Sequence, residues 1–246
     1  MHSFRARITA LMIVAILVYG VLVGGLVLLS IRRVGASTSE RTMDLICETN
    51  YEQMEEYLDY VRNDEHYCKY YDMLYIMFHT GLRISEFCGL TVSDIDFDNM
   101  RLNVARQLIR THEGKYIIEK PKTQCGVRAI PMTDEVADCF ARIIKNRKRI
   151  KNEPKIDGCI GFLYLSRTGM PRVAISWQKS MQRMREKFVN SRLRPFPKVT
   201  PHVCRHTFCS NMAKRGMNPK MLQYIMGHAD VGVTLNTYTH IKIRGC

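Results

Sequence analysis

Hydrophobic and polar positions alternate in three different ways along the chain. Between Arg7 and Arg32 runs ITALMIVAILVYGVLVGGLVLLSI, about 24 residues without a charge. An apolar run of that length predicts a helix able to span a bilayer. A cleaved signal peptide, with Gly35-Ala36-Ser37 supplying small residues, is the competing reading. A buried core helix fits less well, because no polar stripe interrupts the run. Arginines at both ends (Arg5 and Arg7, then Arg32 and Arg33) leave the orientation open.

Beyond Ser39 the pattern becomes mixed. YEQMEEYLDYV (51–61) and YCKYYDMLYIMFHTG (67–81) repeat apolar residues at spacings of three and four, which predicts two amphipathic helices, the second ended by Gly81. RISEFCGL (83–90) predicts a short helix with its arginine at the start. From 101 to 131 the period falls to two: RLNVARQLIR, KYIIE and VRAIPM alternate β-branched with polar residues, and HEG and TQCG give turn signals. These predict a small antiparallel sheet of about three strands. Helices are expected again at 133–150 and 173–190, with a short strand FLYL (162–165) between them. After Pro201 three short helical runs follow, broken at 216–219 and at Gly227-His228. The predicted fold is α+β: a mainly helical domain over 50–246 with a small antiparallel sheet. It is preceded by a hydrophobic, transmembrane-type segment (1–39) and a linker (40–49).

Charge changes the picture more than composition does. Thirty-seven Lys and Arg against 23 Asp and Glu give a formal net charge of +14. Folding does not need such a surplus, so it points to a polyanionic partner, DNA or RNA, with an anionic membrane surface as competitor. The nine cysteines include no C-x-x-C pair, which argues against a zinc ribbon. Several fall inside apolar helical runs, as expected in a reducing, cytoplasmic compartment.

Candidate chemistry is spread along the chain. Arg83 follows a glycine break at a predicted helix start, where main-chain N–H groups favour anions. Lys122 sits at a predicted hairpin turn. In TPHVCRHTF (200–208), Thr200 is a candidate N-cap and Pro201 a candidate first helical residue, which places His202 and Arg205 on one face of the first turn. His228 follows Gly227, and Tyr238 comes ten residues later. Each has a plainer reading when taken singly: a surface arginine, a solvated lysine, a capping histidine, a core tyrosine. The order Arg … Lys … His-x-x-Arg … Gly-His … Tyr resembles the tyrosine recombinase (phage integrase) family. TGLRISE, PHVCRHTF, MGH and NTYTH carry the resemblance over about 50–242. Within that family the chain is similar to integrases of conjugative transposons from Gram-positive bacteria.

The resemblance implies metal-free and cofactor-free cleavage and rejoining of double-stranded DNA. Arg83 and Arg205 would grip the scissile phosphate with the bidentate, permanent charge that lysine lacks. Tyr238 would attack and remain joined to the 3′-phosphate. His202 would take its proton, because a phenol of pKa about 10 needs help to lose one. Lys122 would protonate the leaving 5′-oxygen, His228 would hydrogen-bond the phosphate, and Glu86 would orient neighbouring side chains. His206 reads as a packing residue. The family also implies a tetrameric synapse and an excisionase-type accessory partner.

Two features depart from the family pattern. Residues 1–49 leave no room for the helical core-binding domain that usually precedes this one, and RARITALMIVAILVYGVLVGG resembles the first membrane helix of a bacterial sensor protein. The expectation is a cytoplasmic catalytic domain anchored through residues 8–31. Only eight residues follow Tyr238, where the family often has a longer tail. The alternatives are a membrane-tethered remnant that binds DNA without recombining it, and a sensor-type membrane protein that is merely basic.

Overall fold

A computed structural model of the chain describes residues 51–121, 124–193 and 195–243, with side chains as far as Tyr238. The expected membrane segment 8–31 and the linker 40–49 lie outside the described residues, and so does Lys122. Among the described residues no helix is long and apolar enough to cross a membrane.

Helix α1 (Tyr51–Asn63) buries Met54, Tyr57, Leu58 and Val61, one stripe at spacings of three and four. A 3-10 turn, Cys68–Tyr70, leads into α2 (Tyr71–Thr80). This helix buries Met73, Leu74, Ile76, Met77 and Phe78, which is apolar on nearly every side, and accordingly runs through the core. Gly81 ends it at φ +65°. A Cβ there would lie 2.6 Å from the Phe208 ring and 2.8 Å from Met226 Sδ, so position 81 needs glycine for both conformation and space. Helix α3 (Ile84–Gly89) follows, with Arg83 as its N-cap residue.

The strand region departs from expectation. RLNVARQLIR forms two strands in two sheets. Strands β1 (Ile95–Asp96), β2 (Arg101–Val104) and β5 (Arg128–Pro131) make one antiparallel sheet in the order β1-β2-β5. Strands β3 (Gln107–Arg110) and β4 (Tyr116–Glu119) form a separate hairpin. The break has a cause at Arg106, which leaves the ladder to meet the buried carboxylate of Asp94 at 3.0 Å. Leu102, Val104 and Leu108 are all buried in a single phase, so the alternation continues through a break that it does not register. The expected strand at 162–165 does not form. Phe162 and Leu163 are both buried, and only single bridges join Thr91 to Phe162 and Leu165 to Pro171.

Helix α4 (Asp134–Lys145) stops five residues short of the expected end. Asn146 caps it, and Arg147 just beyond is drawn off to the Phe162 carbonyl, to which its Nε donates at 2.8 Å. Helix α5 (Ala174–Arg192) buries Trp177, Met181, Met184 and Phe188. Helices α6 (Pro201–Lys214), α7 (Pro219–Met226) and α8 (Val231–Ile243) end the described chain. Thr200 caps α6 as expected, its Oγ1 accepting from Val203 N at 3.2 Å, with Pro201 in the first turn. Helix α2 packs on α4 and α6, α6 packs on α8, and α7 touches β5 and α8. This arrangement brings Gly81, the start of α3, the start of β5 and the end of α7 together.

Candidate active site

The end of a helix leaves main-chain carbonyls without intrahelical partners. At α7 these fall on Ile225, Met226 and Gly227, and three arginines from three distant segments take one each. Arg128 Nε donates to the Ile225 carbonyl at 2.7 Å, Arg205 Nη2 donates to that of Met226, and Arg83 Nη2 donates to that of Gly227 at 3.1 Å. Cations at this end also complement the helix dipole. Gly227 itself turns the chain at φ +61°, and a Cβ there would lie 2.8 Å from Arg128 Nη1. The glycine is required by the turn and by the guanidinium beneath it.

Glu86 binds two of these arginines together. Its Oε1 accepts from Arg83 Nη1 (2.8 Å) and Arg128 Nη1 (3.1 Å), and its Oε2 accepts from Arg83 N (2.9 Å) and Arg128 Nη2 (2.9 Å). Four donors saturate a carboxylate. Burial pushes the Glu86 carboxyl up, but the hydrogen bonds and charge of Arg128, then those of Arg83, prevail and hold it below the usual range. Arg83 N is thus already occupied, so the α3 start does not offer that N–H to an anion as its position in the sequence suggested. Arg128 is fully buried, whereas the Arg83 side chain is 41% exposed. Arg83 therefore faces outward, lining a cleft of about 270 Å³ with Glu86, Gln107, Pro121, Gly126, Gly227 and Ala229. Pro121 and Gly126 flank the segment that carries Lys122.

Arg205 lies beneath, buried, its Nη1 on the Gly81 carbonyl. Burial first, then the neighbouring Arg83 guanidinium, push its pKa down to about 9, so it stays charged at neutral pH. Three guanidinium groups against one carboxylate leave the cluster with two net positive charges. The same charges act on the histidines. His228 is pushed down to about 4 by burial, then by Arg205 and Arg83, and its Nδ1 meets the buried Thr234 hydroxyl at 2.9 Å. His202 keeps much of its surface exposed, and the partial desolvation of its ring, then the Arg205 charge, lower its pKa. Its Nε2 lies 2.7 Å from Nε2 of His206, itself pushed down to about 4 by burial, His202 and Arg205. His206 is therefore a partner of His202 and not only a packing residue.

Tyr238 stands apart. It is half-buried on α8, and its hydroxyl donates to the Met217 carbonyl in the turn between α6 and α7, not to a group of the arginine cluster. Burial and then Cys209 raise its pKa. Of the residues singled out in the sequence, the structure brings Arg83, Glu86 and Arg205 together at the end of α7, with His228 in the turn that follows. Sequence reasoning missed Arg128 and Thr234. Arg128 had a legible signal, because in VRAIPM it shares the phase of the buried Ile130 and Met132. A charge on the inward face of a strand requires a buried partner. Among the described residues no group of three or more His, Cys, Asp or Glu could hold a metal ion.

A largely buried arginine cluster, set in a helical domain with a small antiparallel sheet, thus presents fixed positive charge to a cleft through Arg83. The chain belongs to the phage integrase family, whose model matches residues 48–244. It is 47% identical over 189 residues to the transposase from transposon Tn916 of Enterococcus faecalis, which covers 77% of this chain and 46% of that protein. The chain thus spans about half the length of the curated relatives it matches. A structure of the Tn1549 transposon integrase in complex with transposon right end DNA superposes with a TM-score of 0.73 at 46% identity, covering 77% of this chain and 60% of that one. XerA recombinase, at 21% identity and a TM-score of 0.57 over 77% of this chain and 57% of its own, shares the fold.

Proposed function

We propose that this chain is a site-specific DNA recombinase of a mobile element, serving integration or excision, that breaks and rejoins strands through Tyr238. The observation that carries the reading is the outward-facing Arg83 set beside Arg205 on adjacent carbonyls at the end of α7. Two fixed cations there suit the two non-bridging oxygens of a phosphodiester. The phenolic oxygen of Tyr238 attacks phosphorus and the P–O5′ bond breaks. The phenol proton passes to His202, whose lowered pKa keeps it a neutral base. Lys122 gives a proton to the leaving 5′-oxygen, and His228 donates to the phosphate through Nε2 while Thr234 holds Nδ1. The 3′-phosphotyrosyl bond conserves the phosphodiester energy, so religation by the 5′-hydroxyl needs no nucleotide cofactor. The partners under this reading are double-stranded DNA, further copies of the chain in a tetrameric synapse, and an excisionase-type accessory protein.

A substrate that loses its leaving strand after cleavage tests the chemistry. The full chain should accumulate a denaturant-resistant protein–DNA adduct on a nicked integrase-type site, Tyr238→Phe should form none, and Tyr51→Phe should match the wild type. An adduct from Tyr238→Phe refutes the nucleophile assignment. A second reading, DNA binding without chemistry, is favoured by the Tyr238 hydroxyl being held on Met217. A folded wild type that binds such sites yet forms no adduct establishes it.

The apolar run from Ile8 to Ile31 supports a membrane anchor for a cytoplasmic catalytic domain. The full chain is then expected in the membrane fraction, and deletion of residues 1–39 is expected to release it. Recovery of the uncleaved full chain among soluble proteins overturns the anchor.

A further inference from the structure

Arg128 is the most completely engaged side chain of the cluster, yet it does not line the cleft. Its side chain has no exposed surface, and its four hydrogen bonds join three separate partners, one side chain and two main-chain carbonyls. Its fork takes both oxygens of Glu86, Nε holds the Ile225 carbonyl at 2.7 Å, and Nη1 also holds the Gly126 carbonyl at 3.1 Å. Gly126 closes the segment carrying Lys122. Ile225 lies in the same helix end whose next two carbonyls hold Arg205 and Arg83.

Two consequences follow from elementary electrostatics. Without Arg128, Glu86 would be left buried with Arg83 as its remaining partner, and one carboxylate would neutralise one guanidinium. The cation that faces the cleft would then be spent on a protein carboxylate rather than kept for a phosphate. Without the Nε and Nη1 contacts, the end of α7 and the Gly126 carbonyl would also lose their common tie. We propose that Arg128 is a positioning residue for strand cleavage. It saturates Glu86 so that Arg83 keeps its charge for the phosphate, and it ties the end of α7 to the Gly126 carbonyl just before β5. This rests on the recombinase reading above, and the test first requires that the wild type form its adduct.

The experiment is a double-mutant cycle on single-turnover adduct formation with the full chain, using E86Q, R128M and the double variant, with half-saturating DNA concentration measured beside each rate. R128M should lower the cleavage rate by about 100-fold, the scale of losing one preorganised donor, while half-saturation moves less than about 3-fold, because phosphate contacts elsewhere govern affinity. Its rate should also gain a pH dependence, since Glu86 loses the partner that held its carboxyl down. In E86Q/R128M the carboxylate that claims Arg83 is gone, so the double variant should cleave faster than R128M and lose that pH dependence. R128K, which keeps the charge but not the fork, should cleave more slowly than wild type at unchanged half-saturation, and it carries the test if R128M does not fold. An R128M or R128K rate equal to wild type, or losses in the double variant that simply multiply, overturns the proposal. A wild type that forms no adduct refutes the recombinase reading instead.

Discussion

The two halves of the site are built to different standards of rigidity. Around the end of α7, three arginines, one carboxylate and three successive carbonyls are joined by short hydrogen bonds in a largely buried cluster. At α8, Tyr238 is half-buried and its hydroxyl rests on a carbonyl outside that cluster, while Val233 and Leu235 on the same helix are exposed. Charge stabilisation gains from donors fixed before the reaction begins, because nothing need reorganise as charge develops. A nucleophile that must first reach its target and later release it has no such requirement. The contrast teaches that this chain invests its buried polar network at the end of α7, the half proposed to face the phosphate, and leaves the proposed nucleophile on a helix whose outer side, at Val233 and Leu235, is exposed.

The sharpest way to break that comparison is at Arg83. Arg83→Lys keeps the positive charge but loses the fork shared between Glu86 and Gly227, so cleavage should fall by about 100-fold, the scale of one preorganised donor. DNA affinity should hardly change, because one phosphate contact of many keeps its charge. Parallel losses in rate and affinity would mean that the cluster holds DNA without shaping the reaction. Amide exchange compares the halves directly: α2 and α6 should be protected at least about 100-fold more strongly than α8, since exchange follows local burial and contact. Equal protection would remove the distinction.

Smaller effects probe what supports the rigid half. Gly81→Ala forces a Cβ at φ +65° to within 2.6 Å of Phe208 and should destabilise the fold by about 1–3 kcal/mol, read as a shift in denaturant midpoint. The histidines give a pH dependence. His206 and His228 are both held at about 4, below their unfolded value of 6.5, so the unfolded chain binds more protons between those limits. Stability should therefore be complete above about pH 6.5 and decline as pH falls toward 4, and a melting temperature that is flat over that window would contradict the assigned burial. Thr200→Ala, which removes only the α6 cap, should cost about 1 kcal/mol and leave the cluster intact.

The same division governs what the sequence disclosed. Periodicity and caps found the helices because their causes are local: Gly81, Thr200-Pro201 and Gly227 each end or start an element within a few residues. It joined β2 to β3 because Arg106 keeps the buried phase while turning toward Asp94, a partner twelve residues away. It extended α4 because the contact that draws Arg147 away is tertiary, to a carbonyl fifteen residues later. Arg83, Arg205 and Glu86 were legible through their motifs, but the jig that aligns them was not. Ile225, Met226 and Gly227 act through main-chain carbonyls, which carry no side-chain signature. Arg128 was passed over although its inward strand phase marked it, because its partner lies forty-two residues earlier. The resting contact of Tyr238 with Met217 was equally invisible, being a choice among tertiary positions for one hydroxyl.

The central claim is that the cluster presents a phosphate to Tyr238, and peptide mapping of the trapped adduct tests it most directly. Full-length protein is reacted with a substrate that cannot religate, the DNA is digested to a nucleotide remnant, and the peptides are sequenced by mass spectrometry. The account predicts that the remnant lies on the peptide containing Tyr238, joined through its phenolic oxygen. A remnant on Tyr224 or any other residue would contradict it.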